Sequence, residues 1–100
     1  METLFAYGTL QNKKIQQQLF NRVLSGKKDS INDYELIEIE TEGNQYPCAT
    51  YKKGSRIEGI VYKLTERELI KADEYEGKKY KRIKIMLNSK KETWVYIKTN

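Results

Sequence analysis

Histidine is absent from this chain of 100 residues, and cysteine occurs only once, as Cys48. Without histidine, the chain has no Ser–His or Cys–His nucleophile pair and no metal site with an imidazole ligand. A single cysteine can form neither an internal disulfide nor a thiolate metal cluster. An acid–base group in this chain must therefore be a glutamate, an aspartate, a lysine, a tyrosine or a water molecule that such residues position.

Long apolar runs are also absent, and none approaches the roughly 20 residues that a membrane span needs. The first apolar stretch is short and has no basic leader, so we expect a cytoplasmic location and no membrane partner. The net charge of +5 permits nucleic-acid or anionic partners. However, the basic residues alternate with acids and no RNA-binding signature is present, so we expect no nucleic-acid partner. Neither a P-loop nor a dinucleotide-binding glycine motif occurs.

The hydrophobic pattern predicts a single α+β domain over residues 1–100, with about six strands, two flanking helices and a small, mixed, strongly curved sheet or barrel. Residues 12–24 carry an apolar stripe at helical spacing, with Gln16 on the polar side and Gly26 as the terminating glycine. Thr65 and Glu68 form a capping-box pattern that begins a second helix over residues 66–75. The predicted strands cover residues 3–7, 31–40, 46–51, 56–64, 80–87 and 93–98.

Turns and irregularities separate these strands. Residues 42–44, 53–55 and 88–91 are predicted turns. The alternation slips between Leu36 and Ile37, which predicts a bulge. Pro47 cannot donate to a ladder, so its strand begins there or lies at an edge. Gly59 inside a strand indicates a kink or a close backbone approach.

The segment Tyr7-Gly8-Thr9-Leu10 joins the first strand to the first helix. A strand that runs into a glycine turn and then a helix leaves several N–H groups unpaired at one point. Such a group of donors suits a carboxylate or phosphate. The alternative is a tight connection that binds nothing.

A second unusual segment, residues 72–77, ends the second helix with acids where the helix dipole favours bases. Glu76 lies seven residues after Leu69 and so tends toward the apolar side of the helix. Burial and the neighbouring Asp73 should raise its pKa, as a general base near neutral pH requires. Alternatively, the lysines and arginine that follow neutralise a solvated acidic turn.

Together these segments resemble the gamma-glutamylcyclotransferase-like family, which includes gamma-glutamylamine cyclotransferases and AIG2-like plant proteins. The resemblance rests on residues 7–10 and 73–77, with Tyr80 and Arg82 beyond them, and it spans nearly the whole chain. Residues 46–47 and 59–62 also match. It implies a small mixed-sheet barrel and an enzyme, without metal or cofactor, that releases 5-oxoproline and a free amine from a gamma-glutamyl amine or peptide. It also implies that Tyr7, Gly8, Thr9 and Leu10 hold the glutamyl end and that Glu76 is the catalytic acid–base.

Other residues are weaker candidates. Tyr80 either lines the pocket and binds substrate or packs at a strand start. Asp73 either orients the loop or caps backbone groups. Arg82 pairs with Glu76 or Asp73, or faces solvent, and Cys48 is expected to be a small buried apolar residue.

A non-catalytic binding or regulatory module on the same fold is the alternative function. The sequence leaves the oligomeric state open. It also leaves the amine half of the substrate open between a gamma-glutamyl-lysine-type isopeptide, a gamma-glutamyl amino acid and a biosynthetic intermediate.

Overall fold

A five-stranded sheet with two α-helices forms the protein, and the computed structural model describes residues 1–99, except the side chain of Thr41. A short 3-10 turn at Thr9–Gln11 precedes the first helix. In chain order the elements are β1 (Glu2–Ala6), α1 (Lys13–Phe20), β2 (Gly26–Thr41), β3 (Asn44–Leu64), α2 (Glu66–Glu76), β4 (Tyr80–Met86) and β5 (Glu92–Lys98).

The strand order is β2-β3-β1-β5-β4, with β1 and β5 parallel and the other neighbours antiparallel. The sheet curls into a half-barrel, so the predicted α+β class with a mixed, curved sheet is confirmed. One apolar cluster lies between the sheet and the helices, and another lies on the opposite face. Because both faces are covered, the central strand β1 buries three successive residues, Leu4, Phe5 and Ala6.

The prediction of six strands was wrong by one, because residues 46–51 and 56–64 belong to the single strand β3. Residues 52–55 do not reverse the chain. They bulge opposite Asp33, and the Gly54 N–H donates to Asp33 Oδ1 over 2.9 Å. Both residues have positive φ, +67° at Asp33 and +89° at Gly54. The irregularity in β2 therefore lies at Asp33 and not between Leu36 and Ile37.

The predicted helix end at Gly26 was also wrong. The helix α1 ends at Phe20, and Asn21 adopts the left-handed conformation with its N–H donating to Gln17 O. Gly26 begins β2 instead, where a Cβ would lie 2.5 Å from Ile60 and 2.7 Å from Tyr62. Glycine is thus needed at that position for close packing.

The helix α2 follows its prediction closely. Thr65 Oγ1 accepts from the Glu68 N–H, and Glu68 Oε1 accepts from the Thr65 N–H, which completes the capping box. The helix runs one residue beyond the predicted end, so Glu76 is its last residue. Among residues 1–99, no helix is long and apolar enough to cross a bilayer.

Candidate active site

A cavity of about 470 Å³ opens where β1 ends, beside the last turn of α2. It brings together the two segments that the sequence singled out, although they lie more than 60 residues apart. All six predicted site residues line it: Tyr7, Gly8, Thr9, Leu10, Glu76 and Tyr80. Its other lining residues are Phe5, Ala6, Tyr46, Pro47, Tyr75, Gly77, Lys78, Lys79 and Tyr96.

Residues 7–10, which we call the amide loop, form one wall of this cavity. The Gln11 N–H donates to Gly8 O over 3.1 Å, and the Asn12 N–H donates to Thr9 O over 2.9 Å. These bonds occupy the carbonyl groups of Gly8 and Thr9. Within residues 1–99, the N–H groups of Gly8, Thr9 and Leu10 form no hydrogen bond with a protein acceptor, and unpaired N–H groups of this kind can bind an anion.

The buried side chain of Gln16 holds the far end of the amide loop. Gln16 was predicted on the polar side of α1, but only 1% of it is exposed. Its Nε2 donates to Leu10 O over 2.8 Å, and its Oε1 accepts from the Leu24 N–H over 2.9 Å. A polar side chain is stable in this apolar setting because both ends of its amide are hydrogen-bonded.

Glu76 is half-buried at the end of α2, on the side of the cavity formed by residues 75–80. Burial raises the pKa of its carboxyl from 4.5 to about 7. No Lys or Arg side chain in the described part of the chain forms a salt bridge with it. The carboxyl therefore changes charge close to neutral pH, as expected, although burial alone is the cause and Asp73 does not contribute.

The carboxylate of Asp73 forms an ion pair with Arg82 and a hydrogen bond with Tyr96. Arg82 donates to both of its carboxylate oxygens, over 2.8 and 2.9 Å, and the Tyr96 hydroxyl donates over 2.6 Å. Burial raises the pKa of Asp73, but the hydrogen bonds from Arg82 and Tyr96 outweigh it and the pKa is lowered. Of the partners considered for Arg82, the structure selects Asp73.

Two tyrosine hydroxyls attach the pocket walls to one another. The Tyr7 hydroxyl donates to Tyr96 O over 2.6 Å and accepts from the Ala49 N–H over 3.2 Å. The Tyr80 hydroxyl donates to Pro47 O over 2.9 Å. Burial raises the pKa of Tyr7 well above its ordinary range and that of Tyr80 to about 12. Both phenols are therefore neutral at physiological pH, and both residues line the cavity.

Sequence reasoning did not assign the other nine lining residues to the site, and Tyr46, Tyr75, Lys78 and Lys79 are among them. The Tyr75 hydroxyl lies 2.7 Å from Thr9 Oγ1 and so joins α2 to the amide loop. The lysines had been considered only as neutralising charges. Their closeness to Glu76 in the sequence was the available signal, because only Gly77 separates them from it.

Within residues 1–99, the thiol and the potential metal ligands do not form a second site. Cys48 is fully buried, as expected, and burial raises the pKa of its thiol. Over residues 1–99, no group of three or more carboxylates, thiols or imidazoles is placed to hold a metal ion.

Known proteins resemble this chain in sequence and in fold. Residues 4–100 match the family model described as gamma-glutamyl cyclotransferase, AIG2-like. The AIG2-like protein D of Arabidopsis thaliana is 26% identical over 102 residues, which covers 99% of this chain and 66% of that protein. The chain thus spans slightly less than two thirds of the length of this relative.

Solved structures share the fold. A protein of Arabidopsis thaliana with a known solution structure has a TM-score of 0.85 at 21% identity, over 99% of this chain and 69% of that one. A structure of a gamma-glutamyl cyclotransferase has a TM-score of 0.76 at 19% identity, over 99% of this chain and 67% of that one. At such identities the likeness establishes the architecture.

Proposed function

This chain belongs to the gamma-glutamyl cyclotransferase, AIG2-like family, and we propose that it is an enzyme that converts a gamma-glutamyl amine or peptide into 5-oxoproline and a free amine. One observation carries the proposal. A half-buried carboxyl with a pKa of about 7, Glu76, shares a cavity with the free N–H groups of the amide loop. We propose that the reaction needs no cofactor and takes place in the cytoplasm.

In the proposed complex, the amide loop binds the glutamyl half of the substrate. The N–H groups of Gly8, Thr9 and Leu10 receive the alpha-carboxylate or the oxyanion that develops on the gamma-carbonyl. The ring of Tyr7 and the ring of Tyr80 flank the glutamyl chain. Holding this chain folded makes the attack intramolecular, which removes much of the entropic barrier.

Glu76 then carries protons from the attacking nitrogen to the leaving nitrogen. Its carboxylate takes a proton from the alpha-ammonium group, and the freed nitrogen attacks the gamma-carbonyl carbon to close a five-membered ring. In the second half, the bond from that carbon to the leaving nitrogen breaks while Glu76 gives the proton to this nitrogen. Glu76 then takes the second proton of the ring nitrogen and passes it to the released amine, so the products are 5-oxoproline and an alkylammonium ion, and Glu76 is again ionised. A carboxyl with a pKa near 7 suits these transfers, since neither protonation state is strongly favoured.

The substitution Glu76→Gln tests this proposal. We expect the rate of 5-oxoproline release, measured by mass spectrometry, to fall about 100-fold or more. The circular dichroism spectrum should be unchanged. The matched control is Glu74→Gln, because Glu74 is an exposed acid of the same helix turn that lies outside the cavity. Retained turnover in Glu76→Gln would show that Glu76 is not the acid–base group of the reaction.

A screen of gamma-glutamyl amides against the unmodified protein tests the alternative. Thermal stabilisation by such an amide without any 5-oxoproline would identify a binding or regulatory module instead of an enzyme.

A further inference from the structure

Within residues 1–99, Thr9 is the one residue of the amide loop that forms a hydrogen bond with α2. Its Oγ1 lies 2.7 Å from the hydroxyl oxygen of Tyr75. Both residues line the cavity, and Tyr75 directly precedes Glu76 in the last turn of α2. The bond therefore connects the wall that carries the unpaired N–H groups to the wall that carries the acid.

The other side-chain anchors of the amide loop lead away from α2. The Tyr7 side chain holds the start of the loop to β5 and β3, and the Gln16 side chain holds its end to α1. Thr9 lies between these two anchors. Loss of its bond to Tyr75 would leave both ends of the loop fixed and would free the middle to shift relative to α2.

The bond between Thr9 and Tyr75 contributes little to the stability of the fold. Thr9 is exposed, and Tyr75 is 41% exposed. Both hydroxyls would bind water if the bond were removed, so no buried polar group would lose its partner. The bond nevertheless joins the two segments that the proposed reaction needs at a fixed separation. This combination suits a role in positioning.

Resting on the function proposed above, we infer that Tyr75 is a positioning residue for the reaction. Its hydroxyl holds Thr9, and with it the N–H groups of the amide loop, at the separation from Glu76 that the folded glutamyl chain spans. Ring closure needs the loop and Glu76 at the same time, and small misplacements slow an intramolecular reaction strongly. Because Tyr75 acts through Thr9 and not on the substrate, its loss should lower kcat and leave KM nearly unchanged.

The substitution Tyr75→Phe keeps the ring and removes the hydroxyl. We expect kcat for 5-oxoproline release to fall roughly three- to ten-fold, with KM within about two-fold of the wild-type value and the urea midpoint unchanged. The matched control is Tyr51→Phe, because Tyr51 is 68% exposed and lies outside the cavity. An unchanged kcat in Tyr75→Phe would overturn the inference. A rise in KM alone would overturn it as well, because it would place the hydroxyl against the substrate.

A double-mutant cycle with Thr9 shows whether the bond itself is responsible. Thr9→Ser keeps a hydroxyl and should retain most of kcat, whereas Thr9→Val keeps the shape of the side chain without a hydroxyl. In the Thr9→Val background, Tyr75→Phe should cause no further loss, because the bond is already absent. Losses that multiply would mean that the two hydroxyls act separately, which overturns the role assigned to Tyr75. A Thr9→Ser variant as slow as Thr9→Val would do the same.

Backbone dynamics separate this inference from the proposed chemistry. Amide order parameters from NMR relaxation should fall at Gly8 and Thr9 in Tyr75→Phe and stay unchanged in Tyr51→Phe. Unchanged order parameters in Tyr75→Phe would overturn the positioning role and leave the proposed function standing. Lower order parameters in a protein that releases no 5-oxoproline would overturn the cyclotransferase chemistry and leave the link between α2 and the amide loop intact.

Discussion

Glu76 is the residue whose charge is most sensitive to conditions near neutral pH, because burial raises its pKa to about 7. In the proposed reaction only the ionised carboxyl can accept the proton of the substrate. We therefore expect kcat/KM to rise about ten-fold per pH unit below pH 7 and to level off above it, with roughly 1% of the plateau remaining at pH 5. Initial rates between pH 5 and 8.5 check this. A flat profile over that range would contradict the assignment of Glu76.

The same burial affects stability with a sign that follows from linkage. A carboxyl with a higher pKa in the folded protein than in the unfolded chain binds its proton more tightly when folded. Folding stability should thus fall as the pH rises from about 4.5 to about 7, the two values between which the pKa is raised. The loss of folding stability over this pH range is roughly 1–3 kcal/mol, after allowing for the partial exposure of Glu76.

Glu76→Gln removes the ionisation and should make the protein more stable than the wild type at pH 8 by about 1–3 kcal/mol. At pH 4 the two proteins should unfold at nearly the same urea concentration, because the wild-type carboxyl is then protonated in both states. Glu74→Gln is again the control and should show no such difference. A gain of equal size at both pH values would mean that the substitution acts through packing and not through charge.

At the scale of elements, the two ends of α2 are fixed by different means. The capping box of Thr65 and Glu68 fixes the first turn. The last turn is fixed by Asp73, whose side chain binds Arg82 of β4 and Tyr96 of β5 and whose carbonyl accepts the Gly77 N–H over 3.0 Å. Because Glu76 lies in that last turn, its position relative to the amide loop depends on Asp73 more than on the capping box.

Asp73→Asn should therefore lower kcat/KM for the proposed release of 5-oxoproline by about ten-fold, in addition to destabilising the protein by about 1–3 kcal/mol. Thr65→Ala should cost about 1 kcal/mol of stability with kinetics unchanged. Rates and urea melts are compared at a temperature where both variants are folded. If Thr65→Ala slows the reaction as much as Asp73→Asn does, the loss follows from general destabilisation and not from misplacement of Glu76.

Regular elements were largely predictable, because residue patterns within a few positions determine them. The capping box predicted the start of α2, and the spacing from Leu69 predicted that Glu76 lies toward the apolar side of the helix. Gly59 was expected at a kink or a close backbone approach, and the structure has the close approach, since a Cβ there would lie 2.6 Å from Ala6 O. Local patterns of this kind also identified both segments that line the cavity.

Features that depend on distant partners were not predictable. Gly26 has the signature of a helix terminator, but the reason for glycine there is the packing of Ile60 and Tyr62 from another strand. Gln16 appeared solvent-exposed, since nothing nearby in sequence announces that Leu10 and Leu24 satisfy its amide. Both errors arise because packing between elements, which a local residue pattern does not show, decides what is buried.

At the scale of the whole molecule, the cavity lies between two parts of the sheet, which are β2 with β3 on one side of β1 and β5 with β4 on the other. The strand β1 pairs with β3 over residues 2–6, but with β5 only at Leu4 and Phe5. Beyond Ala6, the hydroxyl of Tyr7 connects β5 to β3 through Tyr96 O and the Ala49 N–H. The hydroxyl of Tyr80 makes a second connection, from β4 to β3. These tyrosines replace the ladder hydrogen bonds that a fully closed barrel would supply.

Tyr7→Phe should accordingly destabilise the protein by about 1–3 kcal/mol, because it leaves the partly buried Tyr96 carbonyl and Ala49 N–H without this partner. Tyr51→Phe is the control, since Tyr51 is 68% exposed and its hydroxyl makes no hydrogen bond within residues 1–99. Urea unfolding measures the loss, and amide exchange should be faster at Ala49 in Tyr7→Phe than in Tyr51→Phe.

When Tyr7→Phe is combined with Tyr80→Phe, the two losses of stability should depart from additivity, since both hydroxyls join the same two parts of the sheet. Unchanged protection of the Ala49 amide would show that the parts stay together without these hydroxyls, and the cavity would then owe its shape to the two apolar clusters alone.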